Sequence, residues 1–137
     1  MGHVYAEITL RNSMDVINCK RGLIQEPEIR QTTVTALVDT GAATLVINEA
    51  LRNQLGLEFE DVYEAELADG TKHIYSYSEP VQIQWKRRRV TLQAIVVPSA
   101  STALLGAIPL EAMDLIINPV EQELTGAHGD EILLMLK

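Results

Sequence analysis

Alternation of apolar and polar residues dominates this chain. Val4, Ala6, Ile8 and Leu10 alternate with Tyr5, Glu7 and Thr9; Val81, Ile83 and Trp85 alternate with Gln82 and Gln84; Val90, Leu92, Ala94 and Val96 alternate with Thr91 and Gln93. A repeat of two puts apolar side chains on one face of an extended strand, so each run predicts a half-buried strand. Residues 32–38, Thr-Thr-Val-Thr-Ala-Leu-Val, are β-branched and end in a more continuous apolar run, which predicts a strand entering the core. That strand leads directly into Asp39-Thr40-Gly41. Helical signals are fewer. Asn48 can cap a helix carrying Leu51 and Leu55 on one face, with Gly56 as its stop. A second short helix is predicted near Pro109, with Leu110, Met113 and Asp114, ending by Asn118-Pro119.

Four polar stretches punctuate these elements. The segment 11–30, with Asn12, Ser13, Gly22 and Pro27, reads as a long loop or irregular hairpin. Asp69-Gly70, between Tyr63, Ala65 and Leu67 on one side and Ile74 on the other, predicts a β-hairpin tip. Lys86 to Arg89 lie between two alternating strands and read as a solvated hairpin turn. The run from Gly126 to Asp130 separates an acidic strand candidate from the apolar Ile132–Leu136. Short strands, two short helices and no βαβ rhythm imply a mostly antiparallel β domain.

Composition narrows the class. A chain of 137 residues fits one domain, 1–137, with a real core. One cysteine excludes an internal disulfide, and Cys19, beside Lys20 and Arg21 but with no histidine nearby in sequence, reads as a reduced thiol. The start has no basic region followed by an apolar stretch, and no apolar run approaches spanning length, so a soluble, cytoplasmic protein without membrane contact is expected. Gly2 invites comparison with a myristoylation signal, but Ala6 stands where that signal wants Ser or Thr. Nineteen acidic against eleven basic side chains give a net charge of −8, which disfavours nucleic acid as a partner, Lys86 to Arg89 included. His3, His73 and His128 lack metal-ligand spacing, so neither a metal nor another cofactor is expected.

Candidate chemistry centres on Asp39-Thr40-Gly41. The preceding strand would carry a carboxylate from the core to a tight turn, where Gly41 allows close backbone approach and the Thr40 hydroxyl can tie the loop. About 60 residues later Ala103-Leu104-Leu105-Gly106 forms an apolar run ending in glycine, just before the second helix. The plain structural reading of Asp39 is a turn aspartate bonded to nearby amides.

Together "ALVDTGAATLVI" and "ALLGAIPLEAMDLIINP", with a hairpin between them, resemble the retropepsin-like aspartic proteases, in particular small bacterial members with one motif per chain. The resemblance implies a closed, mostly antiparallel all-β acid-protease barrel with one or two short helices. The two motif strands would cross to form the floor of the site, and the hairpin between them would fold over the substrate as a flap. Asp39 would be the catalytic aspartate, Thr40 the residue gripping its partner across a dimer, and Gly41 the loop glycine. Ala68, Asp69, Gly70 and Thr71 would form the flap tip. Ala42, Tyr75, Tyr77, Pro98 and Leu104 would line the groove for a peptide or protein substrate.

Peptide hydrolysis by this route needs two carboxylates sharing a proton, and the chain has one such motif. A homodimer with Asp39 facing Asp39 is therefore implied, and Ile132–Leu136 and the strand Val4–Leu10 are candidate interface strands. Ala107 and Ile108 stand where viral members carry an arginine followed by Asp or Asn, so this dimer would form without that arginine. Two rivals remain open: a catalytically silent retropepsin-like module that dimerises or binds peptide by strand addition, and an unrelated small β-barrel binder. Trp85 is expected as a core or interface anchor, and Glu58, Glu60, Asp61, Glu64 and Glu66 as a solvated face.

Overall fold

The computed structural model describes residues 3–66 and 68–128. Within them the chain forms β1 (Tyr5–Asn12), α1 (Ser13–Lys20), a 3-10 turn (Glu26–Glu28), β2 (Gln31–Val38), β3 (Leu45–Ile47), α2 (Glu49–Leu55), β4 (Phe59–Glu66), β5 (Lys72–Trp85), β6 (Arg88–Val96), β7 (Leu104–Leu105), α3 (Ala107–Ala112), β8 (Leu115–Asn118) and β9 (Glu123–Gly126). The pairings run β1–β2–β7–β3–β6–β5 and return from β5 to β1, making a ring. From β5 the strand β4 extends outward, and β8 and β9 form a separate two-stranded sheet. All pairings are antiparallel except β2 with β7 and β3 with β6.

The predicted alternation faces inward as expected. Ile8 and Leu10 of β1, Val81 and Ile83 of β5 and Ala94 of β6 are fully buried, against Leu45, Ile47 and Leu105 from the short strands. Full burial of each such Leu, Ile or Val contributes roughly 1.5–3 kcal/mol, so this shared interior holds the ring together. Trp85 joins the same core. The helix predicted from Asn48 is α2: Asn48 Oδ1 accepts from Leu51 N at 2.9 Å, and Gly56 ends it in the left-handed region at φ 63°.

Several expectations are corrected. The segment 11–30 is not a loop or hairpin, since α1 and the 3-10 turn occupy it, which makes three α-helices among the described residues instead of one or two. The reason is an inverted pattern: Asn12, Ser13 and Asp15 are buried whereas Met14 and Ile17 are exposed. Polar contacts, not an apolar stripe, hold this helix. Asn12 Oδ1 caps it by accepting from Asp15 N at 3.1 Å, while Asn12 Nδ2 donates to Leu55 O at 2.9 Å. The Asp15 carboxylate takes both Arg30 Nε (2.8 Å) and Nη2 (2.9 Å), and these hydrogen bonds hold it below the usual carboxylate range.

Nor are Lys86 to Arg89 all solvated. The turn is only Lys86 and Arg87, because Trp85 already pairs with Arg88. Arg88 is 3% exposed and donates from Nη1 to Met113 O (2.8 Å) and Asp114 O (2.9 Å). β1 pairs with β2 along Tyr5–Arg11 and with β5 over Thr9–Asn12, so within Val4–Leu10 only Thr9 and Leu10 are paired on both sides. β3 and β8 were not expected, being too short to show a period. Leu67, Gly129, Asp130 and Ile132–Leu136 lie outside the described residues.

Candidate active site

The sequence that delivers Asp39 is the apolar end of β2. Val38 donates to Val4 O at 2.8 Å and Leu37 to Ala103 O at 2.9 Å, so the strand is pinned on both sides just before the motif. Asp39 itself donates from its backbone N to Leu105 O at 3.0 Å. Its Oδ1 accepts from Gly41 N at 2.9 Å, and its carbonyl accepts from Ala42 N at 3.0 Å. The carboxylate is thus tied to its own turn, as the plain structural reading expected, and it also stands half-buried at the end of a core strand beside the second motif.

The two motifs interlock through their backbones. β7 lies between β2 and β3, with Leu104 paired to Leu37 on one side and Val46 on the other. The loop 39–44 wraps this strand, so that Ala107 N donates to Ala42 O and Ile108 N to Ala43 O, both at 2.9 Å. Gly106 sits where the loop passes closest. A Cβ there would stand 2.5 Å from Ala42 O, 2.8 Å from Thr44 N and closer still to Thr44 O, and a backbone cannot yield as a side chain end can. Glycine at 106 is therefore a steric requirement of the crossing.

Asp39, Gly41, Ala42 and Leu104 are brought together in this floor. Thr40 is exposed and lines an apolar pocket of about 290 Å³ with Leu110, Leu115 and Ile117. The expected flap residues are at the far end of the β4–β5 hairpin. Asp69 Oδ1 accepts from Thr71 N (2.9 Å) and Thr71 Oγ1 (2.6 Å), which holds its carboxyl below the usual range, and Gly70 takes the left-handed conformation at φ 85°. Ala68 is exposed beside them. Tyr75 pairs with Tyr63 across the hairpin and Tyr77 meets the Tyr63 ring edge-on at 5.1 Å, while exposed Pro98 follows β6.

Two supporting residues were not singled out in the sequence. Gln93 of β6 donates to Glu60 Oε1 (2.9 Å) and Asp61 Oδ2 (2.7 Å), fastening the root of the hairpin to the ring and taking Asp61 out of the merely solvated face. Arg88 secures the carbonyls at the end of α3, and Asp114 beyond it accepts from His128 Nδ1 at 2.6 Å, a contact that lowers the Asp114 pKa. Alternation marked Gln93 as an ordinary outward position, and Arg88 was read as part of a solvated turn although it shares the inward parity of Val90, Leu92 and Ala94, the one local signal that could have placed it. Among the described residues no group of three His, Cys, Asp or Glu side chains is placed to hold a metal ion. No helix among them is long and apolar enough to cross a membrane.

Chemically, a fixed carboxylate at an open loop can give or take a proton, and a hairpin stands out from the same sheet. Among solved structures the chain resembles a retropepsin-like aspartic protease from Rickettsia conorii, with 16% identity, a TM-score of 0.54, and coverage of 85% of this chain and 77% of that one. It also matches EIAV protease complexed with the inhibitor HBY-793, with 20% identity, a TM-score of 0.49, and coverage of 80% and 86%. No curated protein sequence matches it. Residues 26–111, well over half the chain and including both motifs, match the family described as "gag-polyprotein putative aspartyl protease". The chain therefore belongs to that family of retropepsin-like aspartic proteases.

Proposed function

We propose that this chain is an aspartic endopeptidase acting as a homodimer, with residues 1–137 as one cytoplasmic domain and a single site on the twofold axis. Each copy contributes Asp39. Two carboxylates meeting there cannot both ionise easily, so they share one proton. The ionised one takes a proton from a water, whose oxygen bonds to the scissile carbonyl carbon, while the protonated one donates to the carbonyl oxygen. Collapse of that intermediate, with proton transfer to the nitrogen, releases an amine and a carboxylic acid. Thr40 and Gly41 shape the loop that presents Asp39. Ala68, Asp69, Gly70 and Thr71 close over the peptide, and Ala42, Tyr75 and Leu104 contact it.

The observation carrying this reading is the interlock of Asp39 with the Leu105–Gly106 crossing: family membership supplies the expectation, and the rigid placement of the carboxylate supplies its physical basis. The test is cleavage of an unbiased peptide library by wild type and Asp39→Asn, with oligomeric state measured alongside. Loss of at least 10³-fold in kcat is expected for Asp39→Asn with the dimer retained, in keeping with removal of an essential acid–base group. Equal cleavage by both proteins, or none by a demonstrated wild-type dimer across acidic and neutral pH, overturns the proposal in favour of a silent module.

A further inference from the structure

Strand register, followed outward from the core, distinguishes the two faces of the β4–β5 hairpin. In β6 Ala94 and Val96 are buried and mark the side of the sheet that faces the interior. Ser76 pairs with Val96, Val62 with Ser76, and Glu64 with Ile74. Paired residues of neighbouring strands point their side chains the same way, as do residues two apart along one strand. Val62, Glu64, Ile74 and Ser76 therefore continue the core side of the ring. Ser78 agrees, since it is fully buried and its Oγ accepts from Ala94 N at 3.2 Å.

The opposite face has different chemistry. Tyr77 pairs with Ile95 and with Asp61, and Asp61 is bonded to Gln93, so these lie on the outer side. Tyr63 and Tyr75 share it, and there the Tyr63 and Tyr77 rings pack on each other. On the core side Val62 and Ile74 are left 64% and 70% exposed, and Glu64 adjoins both. The Glu64 carboxylate has Lys72 Nζ at 3.4 Å, with both side chains more than half exposed, an ion pair that contributes little in water. Register is irregular at Phe59–Asp61 and at Tyr77–Pro80, at the root of the hairpin, and such irregularities bend strands. A hairpin that bends over the ring turns its core side toward whatever lies beneath.

We infer that Glu64 sets a charge preference, selecting peptides that carry a Lys or Arg side chain beside an apolar residue, with the apolar residue packed on Val62 and Ile74. This rests on the reading above in which the hairpin covers a peptide, and it refines that reading by moving the main contact of β5 from Tyr75 to Ile74. The core side of the hairpin carries Glu64, Glu66 and Lys72, two acids against one base, and the Asp39 pair with its one shared proton adds a further negative charge. A basic side chain is drawn to such a surface and an acidic one is repelled. The substrate cation replaces Lys72 at Glu64, and the exposed Lys72 side chain turns into water. Covering the peptide removes water from the new pair and strengthens it.

The test is cleavage of an apolar peptide library in which each position in turn carries Lys, Gln or Glu, read as kcat/KM. Binding of the matching fluorescent peptides to the Asp39→Asn protein is measured alongside and needs no turnover. At low salt, wild type is expected to cleave the best Lys peptide at least tenfold faster than its Glu counterpart, with the ratio shrinking as salt is raised. Glu64→Gln should bring the ratio below threefold and Glu64→Lys should invert it. Asp61→Asn, which removes an acid from the outer face, should keep the wild-type ratio. Ile74→Ala should raise KM more than Tyr75→Ala does. Binding to Asp39→Asn should follow the same Lys, Gln, Glu order and lose it when Glu64→Gln is added. A preference for Lys that survives Glu64→Gln, or a wild type indifferent to charge or favouring Glu, overturns the inference while Asp39-dependent cleavage stands. A larger effect from Tyr75→Ala than from Ile74→Ala overturns the assignment of faces. Absence of Asp39-dependent cleavage overturns the protease instead, and the binding order then decides the role of Glu64: a Glu64-dependent preference for Lys upholds it, and no binding of any peptide overturns it as well.

Discussion

The floor that holds Asp39 and the hairpin that projects from the same ring are built on opposite terms. In the floor nearly every constraint is backbone to backbone: Asp39 to Leu105, Ala107 to Ala42 and Ile108 to Ala43, around a Gly106 with no space for a side chain. At the outer end of the hairpin the additional ties are side chains on the surface: Asp69 with Thr71, Lys72 with Glu64 at 3.4 Å, and Tyr63 with Tyr77, with Val62 and Ile74 exposed. Backbone crossings in a core have no low-energy alternatives, whereas exposed ion pairs and turn contacts each contribute little and are readily broken. Under the proposed function a reacting carboxylate has to be still and a cover has to open, and those needs would be divided between the floor and the β4–β5 hairpin.

The largest effect should come from crowding the crossing. Gly106→Ala places a methyl against the Ala42 and Thr44 backbone, and the expected cost is roughly 3 kcal/mol or more, enough to leave the protein partly unfolded. Urea denaturation measures it. A loss below about 1 kcal/mol would mean the floor can relax, and its contrast with the hairpin would disappear.

Arg88→Met comes next. It retains much of the side chain's bulk but leaves the Met113 and Asp114 carbonyls without their buried donor, at an expected cost of about 3 kcal/mol. Arg89→Ala, one residue on and exposed, should change stability by less than about 0.5 kcal/mol. The pair sharpens the comparison within four residues of one hairpin. Similar effects from both would return the basic run to the solvated turn that its composition suggests.

These residues also show what could be read from sequence. Strands of five or more residues with one wet face announce themselves by alternation, which is why β1, β6 and the end of β5 were legible, and Asn48 and Gly56 marked α2 because caps act locally. By alternation the short β3 was not, and β7 followed only from the family resemblance, since two or three apolar residues have no period. Their pairing depends on the loop 39–44 lying over Gly106, a contact between positions about 60 residues apart. α1 was hidden for a different reason: its buried residues are Ser13 and Asp15, so its pattern opposes the rule that apolar positions face inward. For the site, Asp39 and Gly106 could be picked out by their motifs. The reason for Gly106, and the roles of Arg88 and Gln93, exist only in the folded contacts.

The smallest effect on stability and the most informative for the hairpin concerns Asp69. Its carboxyl is held below the usual range by the Thr71 hydroxyl and then by the Thr71 amide. A group whose folded pKa is lowered contributes stability above its unfolded pKa and loses it as pH falls through the folded value. The turn should therefore tighten at neutral pH and loosen under acid, well before the ring responds, because the contacts are local and fully exposed. Protection of the Thr71 amide from hydrogen exchange, corrected for its intrinsic pH dependence, should fall with Asp69 protonation, and Asp69→Asn should remove that dependence. The unfolding midpoint should remain near wild type in both cases. With a peptide substrate Asp69→Asn is expected to raise KM severalfold with kcat little changed, since the cover and not the floor is altered. If the substitution instead lowered the global midpoint as Gly106→Ala does, the hairpin would belong to the same rigid unit as the floor, and opening would have to arise elsewhere.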